Sequence, residues 1–140
     1  MYNQVLSSHH TLTETSCLDA LGIHLLLELR KCNSKLLDDL EFIRQAMTVA
    51  AKGAGATIVG ESFHQFDPRG VTGIVAIAES HLCIHTWPEH NYAAVDIFTC
   101  GENFKPYEAA QVIIQKLQCD SPSVTELQRG LISKKAASSV

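Results

Sequence analysis

Four strand-like segments follow one another between residues 56 and 99, and this succession constrains the fold more than any other feature of the chain. The segments cover residues 56–66, 73–78, 81–86 and 92–99. The turn sequence Asp-Pro-Arg-Gly at 67–70 separates the first two and predicts a hairpin, because proline and glycine favour the dihedral angles of a tight turn. Residues 87–91 interrupt the last two. The centre of the chain is therefore predicted to consist of consecutive strands.

Two helical segments flank this run of strands. Asn33 or Ser34 is expected to cap the first helix, and Gly53 and Gly55 to end it. Its apolar residues repeat at helical spacing, at Leu36, Leu40, Ile43, Met47 and Ala50. Pro106 predicts the first turn of the second helix, because proline lacks an N–H that this position would leave unpaired. The apolar side of that helix carries Ala110, Ile113, Ile114 and Leu117.

Two further strand patterns lie outside the helices, at residues 23–30 and 123–128. The order strand, helix, consecutive strands, helix, strand predicts an α+β fold, a two-layer sandwich with helices on one face of a mainly antiparallel sheet. We expect a single domain over residues 21–130, which is a common length for one hydrophobic core. Residues 1–20 are expected to be a flexible lead-in, and residues 131–140 a flexible tail.

Composition excludes several classes of function. Hydrophobic residues make up 46% of the chain and charged residues 19%, which is typical of a globular domain. The net charge of -4 argues against a nucleic-acid partner, because such domains carry a basic surface that neutralises phosphates. The apolar runs are shorter than the roughly 20 residues that span a bilayer, and no signal peptide is evident, so we expect a cytoplasmic protein with no membrane contact. The five cysteines form no CxxC pair, so we expect reduced thiols.

The segment AESHLCIHTWPEHNY, residues 78–92, concentrates reactive side chains, and several interpretations of it are open. It is first of all typical of a hydrogen-bonded polar face. On a regular strand His81, Cys83 and His85 share one face, and imidazole with thiolate is a ligand set that zinc prefers. Ser80 with a histidine base would suit a hydrolytic triad, although the GxSxG elbow that exposes such a serine is missing.

A further interpretation uses the serine that follows a glutamate. A serine hydroxyl that attacks the preceding carbonyl converts the amide into an ester. Elimination of that ester and hydrolysis leave a pyruvoyl group at the new N-terminus. The chain would then make its own cofactor from Ser80.

The stretch GVTGIVAIAESHLCIHTWPEHNYAAVDIFTCG, residues 70–101, resembles the prokaryotic S-adenosylmethionine decarboxylases, whose proenzymes cleave themselves at a Glu-Ser bond within an ESH motif. The segments GIHLLLEL at 22–29, FHQFDPRG at 63–70 and VTELQRG at 124–130 are also similar to family segments. The resemblance implies decarboxylation of S-adenosylmethionine to the aminopropyl donor for spermidine biosynthesis. It also implies a homodimer of processed protomers, with active sites at or near the subunit boundary.

By this resemblance, cleavage between Glu79 and Ser80 gives chains 1–79 and 80–140, and Ser80 becomes the pyruvoyl group. That group forms a Schiff base with the substrate amine and delocalises the electrons left by CO₂. His85 matches the family's proton acceptor in self-processing, a role that suits a group titrating near neutrality. Strict alternation places Ser80 and His85 on opposite faces, so we expect the chain to bend near the cleavage site.

The resemblance assigns three kinds of supporting role. Cys100 matches the family's proton donor to the substrate after CO₂ leaves. Thr72 stands where relatives commonly have serine, and its hydroxyl is expected to support processing. The predicted substrate-binding residues are Phe66, Trp87 and Glu89, because adenine and a sulfonium favour aromatic faces and a carboxylate accepts ribose hydroxyls. No metal is implied, and His24, His64 and His81 receive no role.

Other functions remain open at this point. A pyruvoyl enzyme with different binding residues would decarboxylate a simple amino acid such as arginine or ornithine. A non-catalytic paralogue would only stabilise an active subunit, although Ser80, His85 and Cys100 are all intact. A histidine-rich metal-binding module is the remaining alternative.

Overall fold

The computed structural model describes residues 18–78 and 80–133, which form six strands, three α-helices and one 3₁₀ turn. The strands are β1 (Leu18–Arg30), β2 (Ile58–Gln65), β3 (Val71–Ile77), β4 (Ser80–Trp87), β5 (Tyr92–Thr99) and β6 (Ser121–Ser133). The helices are α1 (Ser34–Leu37), α2 (Leu40–Gly53) and α3 (Pro106–Lys116). The 3₁₀ turn, Pro88–His90, joins β4 to β5.

The strands form one antiparallel sheet in the order β2-β3-β4-β5-β1-β6. The predicted hairpin across residues 67–70 is confirmed, since Gln65 pairs with Val71. Strands β3 and β4 form a second, tighter hairpin in which Ile77 pairs with Ser80. The predicted α+β fold with helices on one face is thereby confirmed, and Ser80 lies at a hairpin end.

The two outer boundaries of the domain differ from the prediction. β1 begins at Leu18, and β6 continues to Ser133, so three residues of the predicted lead-in and three of the predicted tail belong to the sheet. The two strands pair with each other over their length, from Leu18–Ser133 to Arg30–Ser121. This long-range pairing supplies backbone hydrogen bonds that no local pattern reveals. The remaining parts of those predicted segments, residues 1–17 and 134–140, lie outside the described residues.

The predicted first helix is in fact two helices, α1 and α2, separated by Asp38 and Asp39. Asp39 caps α2 by accepting a hydrogen bond from the Phe42 N–H at 3.0 Å. The Asp38 carboxylate accepts one from the Gly70 N–H at 2.8 Å. The helix breaks here because both carboxylates bind backbone N–H groups, which ties α1 to the turn between β2 and β3.

The core lies between the sheet and the layer formed by α2 and α3. The largest fully buried side chains include Leu25, Leu27, Leu29, Ile43, Met47, Leu82, Ile84, Ile97 and Ile113. Each such aliphatic side chain stabilises the fold by about 1.5–3 kcal/mol. Burial alternates along β3, β4 and β5, as a sheet covered on one face requires. None of the helices in residues 18–78 and 80–133 is long and apolar enough to cross a membrane.

The other face of the sheet is here called the open face, because within the described residues no helix packs on it. Its side chains include Thr72, Ile74, His81, Cys83, His85, Trp87, Asp96, Phe98, His24 and Arg129. On the covered face, Thr86 donates to the Leu37 carbonyl at 2.7 Å and accepts from the Val71 N–H at 2.8 Å. This buried hydroxyl joins α1 to two strands and fixes the end of β4, where His85 and Trp87 lie.

Candidate active site

The first part of the candidate site is the start of β4, where a hydroxyl meets a thiol. Ser80 lies between Ile77 of β3 and Thr99 of β5. Cys100 follows Thr99, and its Sγ is 3.5 Å from Ser80 Oγ. Ile77 and Thr99, the two strand partners of Ser80, help to line a cavity of about 150 Å³. The structure therefore brings together the predicted pyruvoyl precursor and the predicted proton donor.

The second part is a hydroxyl and an imidazole on the open face. Thr72 and His85 are direct cross-strand partners, and Thr72 Oγ1 is 3.0 Å from His85 Nδ1. If Nδ1 carries the proton and donates it to the hydroxyl, Nε2 is left with a free lone pair. The Thr72 contact therefore orients a ring that can take up a proton at its exposed side.

The two parts do not meet within one chain. Strand β4 is continuous from Ser80 to Trp87, and five residues at about 3.3 Å each separate Ser80 from His85 by roughly 16 Å. Their side chains also leave opposite faces of the sheet. The expected bend does not bring them together, because β4 keeps a regular register with β3 and β5 from Ser80 onward. Glu79, the predicted residue before the cleaved bond, lies outside the described residues.

The predicted substrate-binding residues all lie at the His85 end of the sheet. Phe66 follows β2 and is 46% exposed, and Trp87 ends β4 and is 40% exposed. The Phe66 N–H donates to the Gly70 carbonyl at 2.8 Å. Gly70, which directly precedes β3, therefore lies between Phe66 and Trp87. Glu89 is exposed in the 3₁₀ turn that follows Trp87. Two exposed aromatic rings and a carboxylate therefore accompany the imidazole, and the thiol is at the other end.

Tyr92 belongs to this region as well, and the sequence analysis missed it. Its ring lies 5.3 Å from the Trp87 ring at an angle of 30°, and its hydroxyl donates to Glu28 at 2.7 Å. Burial and the hydrogen bond to Glu28 raise the pKa of Tyr92 to about 12. A signal for it existed, because a tight turn at 87–91 makes the flanking Trp87 and Tyr92 a cross-strand pair.

The three histidines without a predicted role lie on the open face. His64 contacts the Phe66 ring, with centroids 4.8 Å apart. At the centre of the face, His24 Nδ1 is 3.4 Å from Arg129 Nη1, and its Nε2 is 3.7 Å from an Asp96 carboxylate oxygen. His81 lies edge-on to His24, with ring centroids 6.3 Å apart. His81, Asp96, His24 and Arg129 form a polar cluster from β4 to β6, and His64 lies apart from it on β2.

The zinc and triad interpretations find little support in this geometry. His81, Cys83 and His85 do share a face, yet no group of three histidine, cysteine or acidic side chains in the described residues could hold a metal ion. Ser80 has Cys100 as its polar neighbour, and His85 is at the far end of the strand. Cys83 lies opposite Asp96 on the open face, where burial and that carboxylate raise its pKa.

The two-layer α+β scaffold carries a serine beside a thiol, and an oriented imidazole beside two exposed aromatic rings. Such side chains suit an enzyme with nucleophilic and acid–base chemistry. A family model described as S-adenosylmethionine decarboxylase matches residues 23–130. The chain belongs to the S-adenosylmethionine decarboxylase family, which depends on a pyruvoyl group. The predicted family and the predicted class of enzyme, a decarboxylase, are confirmed.

Individual relatives agree with this membership. An S-adenosylmethionine decarboxylase proenzyme of Thermodesulfovibrio yellowstonii is 56% identical over 114 residues, which cover 81% of this chain and 84% of the relative. One of Caldanaerobacter subterraneus subsp. tengcongensis is 46% identical over 117 residues, covering 84% and 94%. The crystal structure of the adenosylmethionine decarboxylase from Aquifex aeolicus superposes with a TM-score of 0.79 at 37% identity, covering 84% of this chain and 98% of that one.

Proposed function

We propose that this chain is a proenzyme that cleaves itself before Ser80, converts Ser80 into a pyruvoyl group, and decarboxylates S-adenosylmethionine. The products would be CO₂ and the aminopropyl donor used for spermidine. The observation that carries the proposal is the 3.5 Å contact between Ser80 Oγ and Cys100 Sγ, in a chain whose relatives are named as proenzymes of this decarboxylase. A hydroxyl and a proton donor in contact suit both steps of the chemistry.

Self-cleavage begins when Ser80 Oγ attacks the carbonyl carbon before it. The new C–O bond replaces the peptide C–N bond, and the Ser80 nitrogen takes the proton from the hydroxyl. A base then removes the Ser80 α-proton while the ester oxygen leaves with its electron pair. The resulting enamine becomes an imine, and water hydrolyses it to the pyruvoyl ketone and ammonia. His85 is the proposed base, because Thr72 can hold its Nδ1 proton and leave Nε2 to accept.

Ser80 is a suitable source of the pyruvoyl group because it lies at a hairpin end, is half-buried, contacts a thiol, and has strand partners that line a cavity. The group supplies a sink for the electrons left when CO₂ departs. Cys100 is the proposed donor of the proton that the substrate α-carbon then takes. Its thiol lies in contact with residue 80, whereas Cys83 leaves the other face of the sheet three residues further along.

The separation of Ser80 from His85 supports a homodimer with shared sites. A gap of roughly 16 Å exceeds what the two side chains can bridge, so a second copy must bring its own Thr72 and His85 to Ser80. We expect two copies to pack about a two-fold axis, as most homodimers are arranged, so that the His85 end of one copy's open face reaches the Ser80 end of β4 in the other copy. Ile74 and Leu127, which are 41% and 38% exposed on that face, would contribute apolar contacts.

The aromatic residues at the His85 end favour a nucleoside substrate. Phe66 follows β2 and Trp87 ends β4, so the one intervening strand, β3, separates them by about 10 Å. Gly70 lies between them and has no side chain to fill the gap. A purine ring could stack on such surfaces, a sulfonium is attracted to them, and the Glu89 carboxylate could accept ribose hydroxyls. Arginine and ornithine have no ring to stack, so this geometry favours S-adenosylmethionine.

Intact-mass measurement of the purified protein, with CO₂ release from labelled S-adenosylmethionine, arginine and ornithine, tests the proposal. We expect two chains, 1–79 and 80–140, a carbonyl at the new N-terminus, and release from S-adenosylmethionine alone. Release mainly from an amino acid would reassign the substrate, and an uncut chain without activity would favour the non-catalytic paralogue. Light scattering should give a dimer, and a fully active monomer would refute the shared site.

A further inference from the structure

Cys32 and Cys119 have no role in the proposed chemistry, and the sheet register places them opposite each other. Arg30 pairs with Ser121 at the end of the β1–β6 ladder. One residue further, the Asp120 N–H donates to the Lys31 carbonyl at 3.2 Å. The next pair in this register is Cys32 and Cys119.

The connections around the two cysteines hold this alignment. The Asn33 N–H donates to the Leu117 carbonyl at 3.1 Å, and the Asn33 side chain donates to Gln118 at 3.0 Å. Lys31 and Gln118, the residues that precede the two cysteines, have φ angles of 56° and 52°. Left-handed backbone costs about 1–3 kcal/mol at a non-glycine residue, and it persists where the surrounding contacts impose it. The facing arrangement is therefore fixed by the fold.

The two thiols are held at neighbouring carbonyls of the first strand. Cys32 Sγ donates to the Leu29 carbonyl at 3.5 Å, and Cys119 Sγ donates to the Arg30 carbonyl at 3.0 Å. A disulfide needs Cα atoms about 4.4–6.8 Å apart, and residues that face each other just past the end of an antiparallel ladder lie close to this range. Both cysteines are free thiols in this structure. A disulfide between them would need little movement of the backbone.

We propose that Cys32 and Cys119 form a disulfide when the protein meets a small-molecule disulfide such as oxidised glutathione. Cys32 belongs to residues 1–79 and Cys119 to residues 80–140, so in the cleaved protein this bond links the two chains. The link between chains rests on the proposed self-cleavage, whereas the disulfide itself rests on the geometry alone. Without it, hydrogen bonds and packing alone would hold the two chains together.

The exchange proceeds through the more accessible thiol. Cys119 is half-buried and Cys32 is 4% exposed, so the Cys119 thiolate attacks glutathione disulfide first and releases one glutathione thiolate. The Cys32 thiolate then attacks the Cys119 sulfur and releases the second. Two cysteine thiols are oxidised, one glutathione disulfide is reduced to two glutathiones, and the two thiol protons pass to the leaving thiolates. Burial, followed by the Cys119 thiol, raises the pKa of Cys32 to about 12, so Cys32 is the poorer thiolate for the first attack.

Gel electrophoresis with and without reductant tests the link directly. Purified protein is incubated with oxidised glutathione, its remaining thiols are blocked with N-ethylmaleimide, and a portion is digested with trypsin. Trypsin places Cys32 in residues 32–35 and Cys119 in residues 117–129, each as the single cysteine of its peptide. We expect one band without reductant, two bands with it, and the two peptides joined with the loss of two hydrogen atoms.

Matched variants and separate outcomes keep the test decisive. Cys119→Ser should abolish the joined peptide and the single band, whereas Cys83→Ser should retain both. If both gels show two bands, and Cys32 and Cys119 are each found modified by N-ethylmaleimide on separate peptides, the disulfide is overturned and self-cleavage stands. One band in both gels overturns self-cleavage and the link between chains together, and the presence or absence of the joined peptide then decides the disulfide itself.

Discussion

The side chains at the two ends of β4 differ in how deeply they are buried, in the face of the sheet that they leave, and in their chemistry. At the start of the strand, Ser80 is half-buried and contacts Cys100. Toward its end, His85 is exposed on the open face, contacts Thr72, and has two exposed aromatic residues nearby. The first end has the groups that would make and protonate a covalent centre, and the second has the base and the surfaces for a large substrate. Neither end is a complete site.

This difference shows that a motif continuous in sequence can be divided in space. Side chains on a strand alternate between its two faces, and the strand advances about 3.3 Å per residue. Two side chains five residues apart therefore leave opposite faces and are far from each other. The ESH motif and the histidine that follows it therefore describe two half-sites. A second copy of the chain can unite them, and the variants below test each half in turn.

Loss of the hydroxyl at the Ser80 end should have the largest effect. Ser80→Ala removes the nucleophile for cleavage and the source of the pyruvoyl group, so we expect an uncut chain and no release of CO₂. Intact mass and a decarboxylation assay check this, with Ser123→Ala in the exposed strand β6 as the control. Activity in the alanine variant would rule out the pyruvoyl mechanism.

Loss of the thiol at the same end should separate cleavage from turnover. Cys100→Ala is expected to cleave normally but to decarboxylate about 100-fold more slowly or worse, because a positioned acid contributes about 10²–10⁴-fold. Protonation at the wrong carbon should also leave alanine at the N-terminus of chain 80–140, only when substrate is present. Mass spectrometry detects this change. Cys83→Ala, on the opposite face, should behave as wild type, and a reversed result would exchange the two roles.

Changes at the His85 end should act on substrate binding. Phe66→Ala or Trp87→Ala is expected to raise KM for S-adenosylmethionine about tenfold, since stacking of a base on an aromatic ring contributes about 1–3 kcal/mol. Cleavage should stay normal, which separates binding from processing. Tyr107→Ala on α3, which is similarly exposed at 49%, serves as the control. Unchanged KM in both variants would remove these residues from the substrate site.

The smallest effect is expected from the residue that orients the base. Thr72→Val keeps the shape of the side chain but loses the hydrogen bond to His85, a net loss of about 1 kcal/mol. Cleavage should then be roughly fivefold slower. Thr72→Ser keeps the hydroxyl and should cleave at the wild-type rate. Equal rates for the valine and serine variants would show that the hydroxyl has no part in processing.

The sequence predicts most of what depends on local pattern. Alternation of apolar residues locates the central strands, the turn at 67–70 predicts the hairpin, and Pro106 marks the start of α3. Alternation also predicts correctly that Ser80 and His85 leave opposite faces. The resemblance to a family supplies the residue roles, which the structure accommodates as two groups.

The features that the sequence does not predict depend on contacts between residues far apart in the chain. The full length of β1 and β6 comes from their mutual pairing, and the break between α1 and α2 comes from Asp38 binding the Gly70 N–H. The packing of Tyr92 on Trp87 and the facing of Cys32 and Cys119 likewise follow from register. Register is set by the whole sheet, so no short window of sequence contains it.

Complementation between two inactive variants tests the shared site most directly. Ser80→Ala lacks the nucleophile and His85→Ala lacks the base, and each alone should remain uncut. When the two are co-expressed, half of the dimers are mixed, and each mixed dimer has one site with both groups. Intact mass should then show about a quarter of all chains cleaved, all of them from the His85→Ala population. A mixture that stays entirely uncut would contradict the account, because each Ser80 would then require the histidine of its own chain.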